Sequence, residues 1–173
     1  FLGIAAGQGG RPQEALQWFT RAVQVQPRHA DAQYNLGVAL GDAGRHADAL
    51  AAYEQALSLD PARADAHYNR GVCLDVLGRA EEALAAYERA IALQPRHAEA
   101  HHNRGVALTR LGRAEQALAA FEAALAARPR YAAAHNHRGA ALAALERFDE
   151  AVADYDRALA IAPGYAQAHN HRA

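Results

Sequence analysis

Chemically reactive side chains are scarce in this sequence. It has no lysine, and Ser58, Thr20, Thr109 and Cys73 are its only serine, threonines and cysteine, so candidate nucleophiles are nearly absent. A single cysteine excludes a disulfide framework, and we expect Cys73 to pack as a small apolar residue. The sequence therefore predicts no enzyme activity within these residues, no cofactor and no bound metal.

Strong net charge and long apolar runs are also missing. The formal net charge is −1, because 18 basic residues nearly balance 19 acidic ones. Such a balance offers no general attraction to nucleic acid or to an anionic membrane. No uninterrupted apolar stretch reaches the roughly 18 residues of a membrane-spanning helix. We expect a cytoplasmic protein that binds no nucleic acid and does not span a membrane.

Small, aromatic and proline residues recur at a constant interval of 34 residues. The columns are Gly3, Gly37, Gly71, Gly105 and Gly139; Ala15, Ala49, Ala83, Ala117 and Ala151; Phe19, Tyr53, Tyr87, Phe121 and Tyr155; Ala22, Ala56, Ala90, Ala124 and Ala158; and Pro27, Pro61, Pro95, Pro129 and Pro163. A fixed period of this length predicts stacked helical hairpins. Such arrays present long surfaces that hold other molecules and rarely form a chemical pocket.

Residues 30–63 illustrate what one period contains. Apolar residues at helical spacing predict two helices, over 31–43 and 47–59. Gly44 between them suits a helix end in the left-handed conformation. Pro61 ends the second helix, because proline lacks an N–H and disfavours helix just before it.

The glycine column falls inside the first helix of each period. Glycine there costs roughly 0.5–1 kcal/mol relative to alanine, so some packing gain must offset it. We expect Gly37 to allow close approach of the paired helix at Ala49 and Ala56. The aromatic column then fills the gap between one hairpin and the next.

These columns resemble the tetratricopeptide repeat family over essentially the whole chain. The resemblance implies an all-α fold, a right-handed superhelical solenoid of antiparallel helix-turn-helix repeats whose first helices line the concave face. The chain departs from the family pattern in three columns. They are Gln33, His67, His101, His135 and His169 in place of a large aromatic residue; Arg70, Arg104, Arg138 and Arg172 before the glycine; and Glu146 in place of a turn glycine. We expect Glu146 to alter or strain its turn.

The repeat boundaries divide the chain as a single array. They are a partial first repeat at 1–29, full repeats at 30–63, 64–97, 98–131 and 132–165, and the start of a sixth at 166–173. No polar capping helix is evident at either end, so we interpret 1–173 as a fragment of a longer array. The run at 103–108 also resembles the repeat region of bacterial O-GlcNAc transferase-like proteins.

Several of the ten histidines occur in close pairs, at 101/102, 135/137 and 169/171. On a helix, residues one or two apart point in different directions, whereas zinc-binding helices space their histidines four apart. Histidines of one column lie about a helix-packing distance of 8–10 Å apart, too far to share an ion easily. We expect the histidine column to pack between repeats, and it also offers a route to pH-sensitive assembly.

The arginine column has one candidate partner. Asp154 lies one helix after Arg138, at a suitable place for an ion pair. The long aliphatic stem of Arg138 can meanwhile cover apolar surface. The equivalents of Asp154 in earlier repeats are alanines, so the pairing is not general. No partner is predicted for Arg70 or Arg104.

Polar side chains are predicted to form a row along the concave face. The candidate peptide-binding residues are Asp31, Tyr34 and Asn35; Asp65, Tyr68 and Asn69; Glu99, His102, Asn103 and Arg110; and Asn136 and His137, in successive repeats. Amides both donate and accept hydrogen bonds, which suits an extended peptide backbone, and tyrosine adds apolar area with a polar tip. The alternative is that the asparagines tolerate solvent or satisfy polar groups between repeats.

The predicted function is a protein–protein interaction scaffold that binds an extended peptide or protein segment in the concave groove. Two alternatives stay open. One is a self-assembling oligomeric scaffold joined end to end, and the other is the substrate-recruiting arm of a larger enzyme such as an O-GlcNAc transferase-like glycosyltransferase. Groove binding depends on Asn35, Asn69 and Asn103, whereas self-assembly depends on the end residues and on protein concentration.

Overall fold

A computed structural model of the chain describes residues 12–172, and within that range it contains ten α-helices and no β-strand. The helices are α1 Pro12–Val25, α2 Ala30–Asp42, α3 His46–Leu59, α4 Ala64–Val76, α5 Ala80–Leu93, α6 Ala98–Arg110, α7 Ala114–Ala127, α8 Ala132–Ala144, α9 Phe148–Ile161 and α10 Ala166–Arg172. The all-α fold is confirmed. The helices predicted over 31–43 and 47–59 correspond to α2 and α3, which each begin one residue earlier than predicted, and α2 also ends one residue earlier. Gly3 and the rest of the first eleven residues lie outside the described range.

Two compact units make up the chain, the first ending at Leu93 and the second starting at Gln94. In the first unit, α2 packs on α3, α4 packs on α5, and the two hairpins meet through α3 and α4. In the second, α6 packs on α7, α8 packs on α9, and the hairpins meet through α7 and α8. Each unit is therefore a stack of antiparallel helix pairs.

The turn inside each hairpin follows one backbone path. Gly44, Gly78 and Gly112 have φ of 73°, 75° and 72°, in the left-handed region that favours glycine. Glu146 adopts φ of 60° at the fourth turn, and the N–H of Arg147 still donates to the carbonyl of Leu142, five residues earlier, at 3.0 Å. The turn is thus unaltered, and the expected strain falls on the Glu146 backbone.

The glycine column makes room for the aromatic column of the same hairpin. A Cβ added at Gly37 would lie 2.6 Å from Cε1 of Tyr53, and one added at Gly71 would lie 2.6 Å from Cε1 of Tyr87. The paired helix therefore approaches closely through its buried ring, and at Gly139 the carbonyl oxygen of Ala151, in the column of Ala49, would also lie 3.1 Å from an added Cβ. The Tyr53 side chain lines a cleft together with Asn69, Val72 and Cys73 of α4, in the next hairpin.

Side chains of the histidine column join each first helix to the turn before it. Nε2 of His67, His101, His135 and His169 lies 2.9–3.1 Å from the carbonyl oxygen of the proline six residues earlier. Gln33 does the same through its Nε2, which donates to Pro27 at 3.0 Å. Because a carbonyl only accepts, each imidazole carries a proton on Nε2. These bonds fix the start of each first helix against the turn that precedes it.

A buried carboxylate confirms the predicted partner of Arg138. Asp154 is 0% exposed, and Nε and Nη2 of Arg138 donate to its two oxygens at 2.5 and 2.7 Å. Arg157 donates to it at 2.8 Å, and His135 Nδ1 lies 3.3 Å away. Burial opposes ionisation of Asp154, but the arginine hydrogen bonds outweigh it and hold its pKa below the ordinary value. Arg70, for which no partner was predicted, has Nε 3.6 Å from Glu54.

Candidate protein-binding face

The predicted site residues of the first unit lie on its two first helices, α2 and α4. We call this surface the α2–α4 face, and it consists of Asp31, Tyr34, Asn35, Val38 and Asp42 on α2 and Asp65, Tyr68, Asn69, Val72 and Val76 on α4. Tyr34, Asn35, Tyr68 and Asn69 are half-buried, whereas the three aspartates are exposed. The face therefore combines fixed polar groups with accessible carboxylates.

Tyr34 is held from two sides. Nδ2 of Asn69, on the next hairpin, donates to the Tyr34 hydroxyl at 3.2 Å. The Arg63 guanidinium lies 4.0 Å from the centre of the Tyr34 ring, and it also forms an ion pair with Asp31. Burial raises the pKa of Tyr34, so the phenol stays protonated and able to donate. The sequence did not single out Arg63, which lies in the turn before α4.

A cleft of about 210 Å³ opens beside Asn69 and the ring of Tyr53. The side chains and backbone that line it are Val38, Gly41, Asp42, His46, Tyr53, Asn69, Val72 and Cys73. The Nδ1 atom of His46 is buried there and has no hydrogen-bond partner among residues 12–172. The cleft is thus apolar at its floor and polar at its rim.

Charge on the α2–α4 face is mainly negative. Asp31 is neutralised by Arg63. Asp42 and Asp65 are exposed and form no ion pair within the described part of the chain. Unpaired carboxylates beside an apolar cleft make this face attractive to cations.

The second unit presents a different surface on α6 and α8. His102 is nearly buried, and its Nε2 lies 2.9 Å from Nδ1 of His137 across the two hairpins. The rings of Tyr131 and Phe121 pack against His102, with centroids 4.9 and 5.8 Å away. Burial lowers the pKa of His102, and burial together with His102 lowers the pKa of His137 to about 4. Both imidazoles are therefore neutral at pH 7 and form a structural contact.

Asn136 continues this series one hairpin later. It is 0% exposed, and its Oδ1 lies 3.1 Å from Nδ1 of His171, which donates to it. The same spacing of 35 residues joins Tyr34 to Asn69 and His102 to His137. Hydrogen bonding between hairpins, the alternative reading of the polar row, therefore occurs within each unit. Polar residues at i and i+35 are the sequence signal that reveals it.

Glu99 and Arg110 lie at opposite ends of α6. The Glu99 carboxylate forms an ion pair with Arg128, whose guanidinium carbon is 4.9 Å from the centre of the Tyr131 ring. Arg110 is exposed in the last turn of α6. Asn103 is half-buried next to His102, with Oδ1 3.1 Å from its Nδ1. Sequence reasoning missed Arg128 and Tyr131, which fix this end of the surface.

Two further features bear on the kinds of site present. Among residues 12–172, no three histidine, cysteine or acidic side chains come together in a metal-ligating arrangement. No helix in that range is long and apolar enough to cross a membrane.

Several solved structures share this architecture. MamA aligns with a TM-score of 0.88 and 24% identity, covering 96% of this chain and 98% of that one. YrrB, described as a TPR protein with an unusual peptide-binding site, aligns with a TM-score of 0.83 and 25% identity, covering 97% of this chain and 87% of that one. TTC0263 of Thermus thermophilus, a thermophilic TPR protein, aligns with a TM-score of 0.74 and 25% identity over 99% and 93%.

Family-level comparison agrees with the helix pattern. No curated protein matches the chain significantly. Two models of the tetratricopeptide repeat do match, one over residues 38–98, 76–119 and 102–166 and the other over residues 1–62. Together with the helix pairs and the 34-residue columns, these matches show that the chain belongs to the tetratricopeptide repeat family.

Proposed function

We propose that the chain is a protein-interaction scaffold whose α2–α4 face holds an extended segment of a partner protein. The observation that carries the proposal is the open cleft between α2 and α4, lined by Val38 and Asn69, whose amide is held by the Tyr34 hydroxyl. YrrB, a repeat protein of similar fold, is described as having a peptide-binding site, which supports this class of function.

The asparagines of this face are equipped to meet a peptide backbone. Asn35 makes no side-chain hydrogen bond within residues 12–172, and Asn69 uses only its Nδ2, on Tyr34. Their remaining amide groups match the alternating N–H and C=O groups of an extended chain. The bond to Tyr34 fixes Asn69 in place, so less side-chain entropy is lost on binding.

Peptide selection tests the proposal. Random dodecapeptides displayed on phage are selected against the chain, and binding of the enriched peptides is measured by fluorescence anisotropy. We expect Asn35→Ala/Asn69→Ala to weaken binding by about tenfold or more, because each amide hydrogen bond contributes about 0.5–1.5 kcal/mol.

The matched control removes two amides elsewhere in the same unit. Gln24 and Gln55 are exposed on α1 and α3, away from the α2–α4 face. The Gln24→Ala/Gln55→Ala variant should bind like the parent. Equal affinities for parent, test and control variants would place the peptide elsewhere and contradict the proposal.

Self-association is the second candidate, and one observation favours it. Phe148 and Val152 lie one turn apart on α9 and are 62% and 42% exposed. Leu50 and Leu84, at the repeat position of Val152, are each only 6% exposed. An open apolar pair suits packing against another helix.

Light scattering over a concentration series tests self-association. It should show oligomers that Phe148→Ser/Val152→Ser abolishes, whereas a monomer at every concentration would exclude self-association. No observation on the described residues favours the enzyme-arm alternative.

A further inference from the structure

Gly41 leaves the cleft of the first unit open. A Cβ added there would meet only the hydroxyl oxygen of Tyr53, at 4.0 Å. At Gly37, one turn earlier, an added Cβ would collide with the Tyr53 ring at 2.6 Å. Packing therefore requires Gly37 but not Gly41. The equivalent positions of the later hairpins carry side chains, at Asp75, Thr109 and Ala143, whereas Gly7 in the partial first repeat lies outside the described residues. Among residues 12–172 this opening therefore belongs to one hairpin.

The cleft has the size and lining of an aliphatic side-chain pocket. Its floor is formed by Val38, Val72 and the Tyr53 ring, and its volume is about 210 Å³. A cavity of about 150 Å³ lined by apolar side chains already admits benzene. A branched aliphatic side chain that enters from solvent therefore fits and removes apolar surface from water.

The residues at the rim of the cleft indicate which groups of the partner lie next to its aliphatic side chain. The carboxylate of Asp42 is exposed there and forms no ion pair within residues 12–172, and Asp65 lies unpaired on the same face. A segment with a cationic side chain next to its anchor pairs with these carboxylates.

We propose that this cleft is an anchor pocket for a branched aliphatic residue of an extended, cationic partner segment. The aliphatic side chain fills the space beside Gly41, and a neighbouring lysine or arginine pairs with Asp42. The proposal rests on the peptide-binding function of the α2–α4 face and adds the chemistry of its ligand.

Filling the pocket tests the proposal. Random dodecapeptides on phage are selected against the parent chain, Gly41→Leu and Ala51→Leu, and the enriched peptides are titrated by fluorescence anisotropy at low and high salt. Ala51 is exposed on α3, so Ala51→Leu adds the same bulk outside the cleft. Circular dichroism verifies that each variant keeps the parent helix content.

The expected result has three parts. Peptides enriched by the parent carry an aliphatic residue beside a lysine or arginine, and Gly41→Leu weakens their binding by about tenfold or more while Ala51→Leu does not. Asp42→Asn weakens binding by about two- to fivefold and reduces its salt dependence, as expected for an exposed charge pair. Replacing the aliphatic residue of the peptide by serine matches the loss caused by Gly41→Leu.

Other outcomes separate this proposal from the function on which it rests. Enriched peptides that are acidic, or that bind Gly41→Leu as tightly as the parent, overturn the anchor pocket. If those peptides no longer bind the Asn35→Ala/Asn69→Ala variant, the peptide-binding function still stands. Failure of the parent to enrich any peptide overturns both.

Discussion

Gly37 and Gly41 lie one helical turn apart in α2, yet their surroundings differ. The Tyr53 ring occupies the space that a Cβ at Gly37 would need, whereas the space at Gly41 is open. The same close contact recurs between Gly105 and the Phe121 ring, where the distance would be 2.5 Å. The glycine column that repeats in every hairpin thus reports ring packing, whereas Gly41, which later hairpins replace by other residues, reports an opening.

We predict opposite effects of alanine at these two glycines. Gly37→Ala should lower the free energy of unfolding by about 1–3 kcal/mol, because an added methyl group forces the buried ring to shift. Gly41→Ala should raise it by up to about 1 kcal/mol, because alanine favours helix and meets no neighbour. Urea unfolding followed by circular dichroism measures both. Stabilisation by both changes would mean that the Tyr53 ring does not hold its place beside Gly37.

His137 belongs to the asparagine column but sits in an environment that excludes charge. Burial comes first among the causes that lower its pKa to about 4, and the neighbouring His102 and His171 add to it. The unfolded chain binds a proton at His137 below its ordinary pKa of 6.5, whereas the folded chain does not until about 4. Stability contributed by the neutral ring is therefore lost as the pH falls from 6.5 to about 4.

This predicts a distinctive titration. The imidazole signals of His137, followed by NMR, should titrate near pH 4, and His137→Asn should flatten the decline in stability between pH 6.5 and 4. Asparagine is the matched replacement because it occupies the same column at Asn69 and Asn103. A midpoint near 6.5 for His137 would show that the ring is open to solvent.

At the scale of the element, the first helix of each hairpin is fixed at its start by one hydrogen bond to the preceding turn. In α6, His101 donates from Nε2 to the Pro95 carbonyl at 3.0 Å. In α2, Gln33 donates to Pro27 at the same distance. Two different side chains thus perform one task, because both place an N–H at similar reach from the backbone.

The substitution test follows from that equivalence. His101→Ala should lower the free energy of unfolding by about 0.5–1.5 kcal/mol, the contribution of one hydrogen bond. His101→Gln should recover most of the loss, since Gln33 makes the bond in its own hairpin. Thermal and urea unfolding of the three proteins measure this. No difference between the alanine and glutamine variants would show that ring packing, rather than the bond, matters at this position.

The bounds of the helices could be predicted closely from the sequence, whereas the contacts between helices were predicted less well. Helix bounds and the left-handed turns were predicted because apolar spacing, Gly44 and Pro61 act within a few residues. The contact of Gly37 with Tyr53 was missed, since it depends on where a ring 16 residues away points. Arg63 and Arg128 were missed for a different reason, because the equivalent positions of the other repeats hold other residues.

For the whole molecule, the contacts recorded within each unit join a hairpin to its immediate neighbours. In the first unit α3 meets α4, and in the second α7 meets α8. Stability of such an array is a sum of hairpin terms and nearest-neighbour terms, so a local defect spreads only a short way.

Hydrogen exchange can measure that reach. Gly37→Ala should speed amide exchange in α2, α3 and the adjoining α4, because opening of one hairpin exposes its neighbour. Exchange in α8 and α9 should stay close to that of the parent. A uniform increase along the chain would show instead that the whole array unfolds as one cooperative body.

The sequence by itself determined the helical hairpins, their 34-residue spacing and the helices that carry the polar row, because each depends on local backbone preference and repetition. Tertiary structure decided which polar groups are satisfied between hairpins, such as Tyr34 with Asn69, and which space stays open, as beside Gly41. Those outcomes depend on side chains from separate helices meeting in three dimensions. A residue column cannot predict these contacts, because the side chain that each member contacts changes from one hairpin to the next.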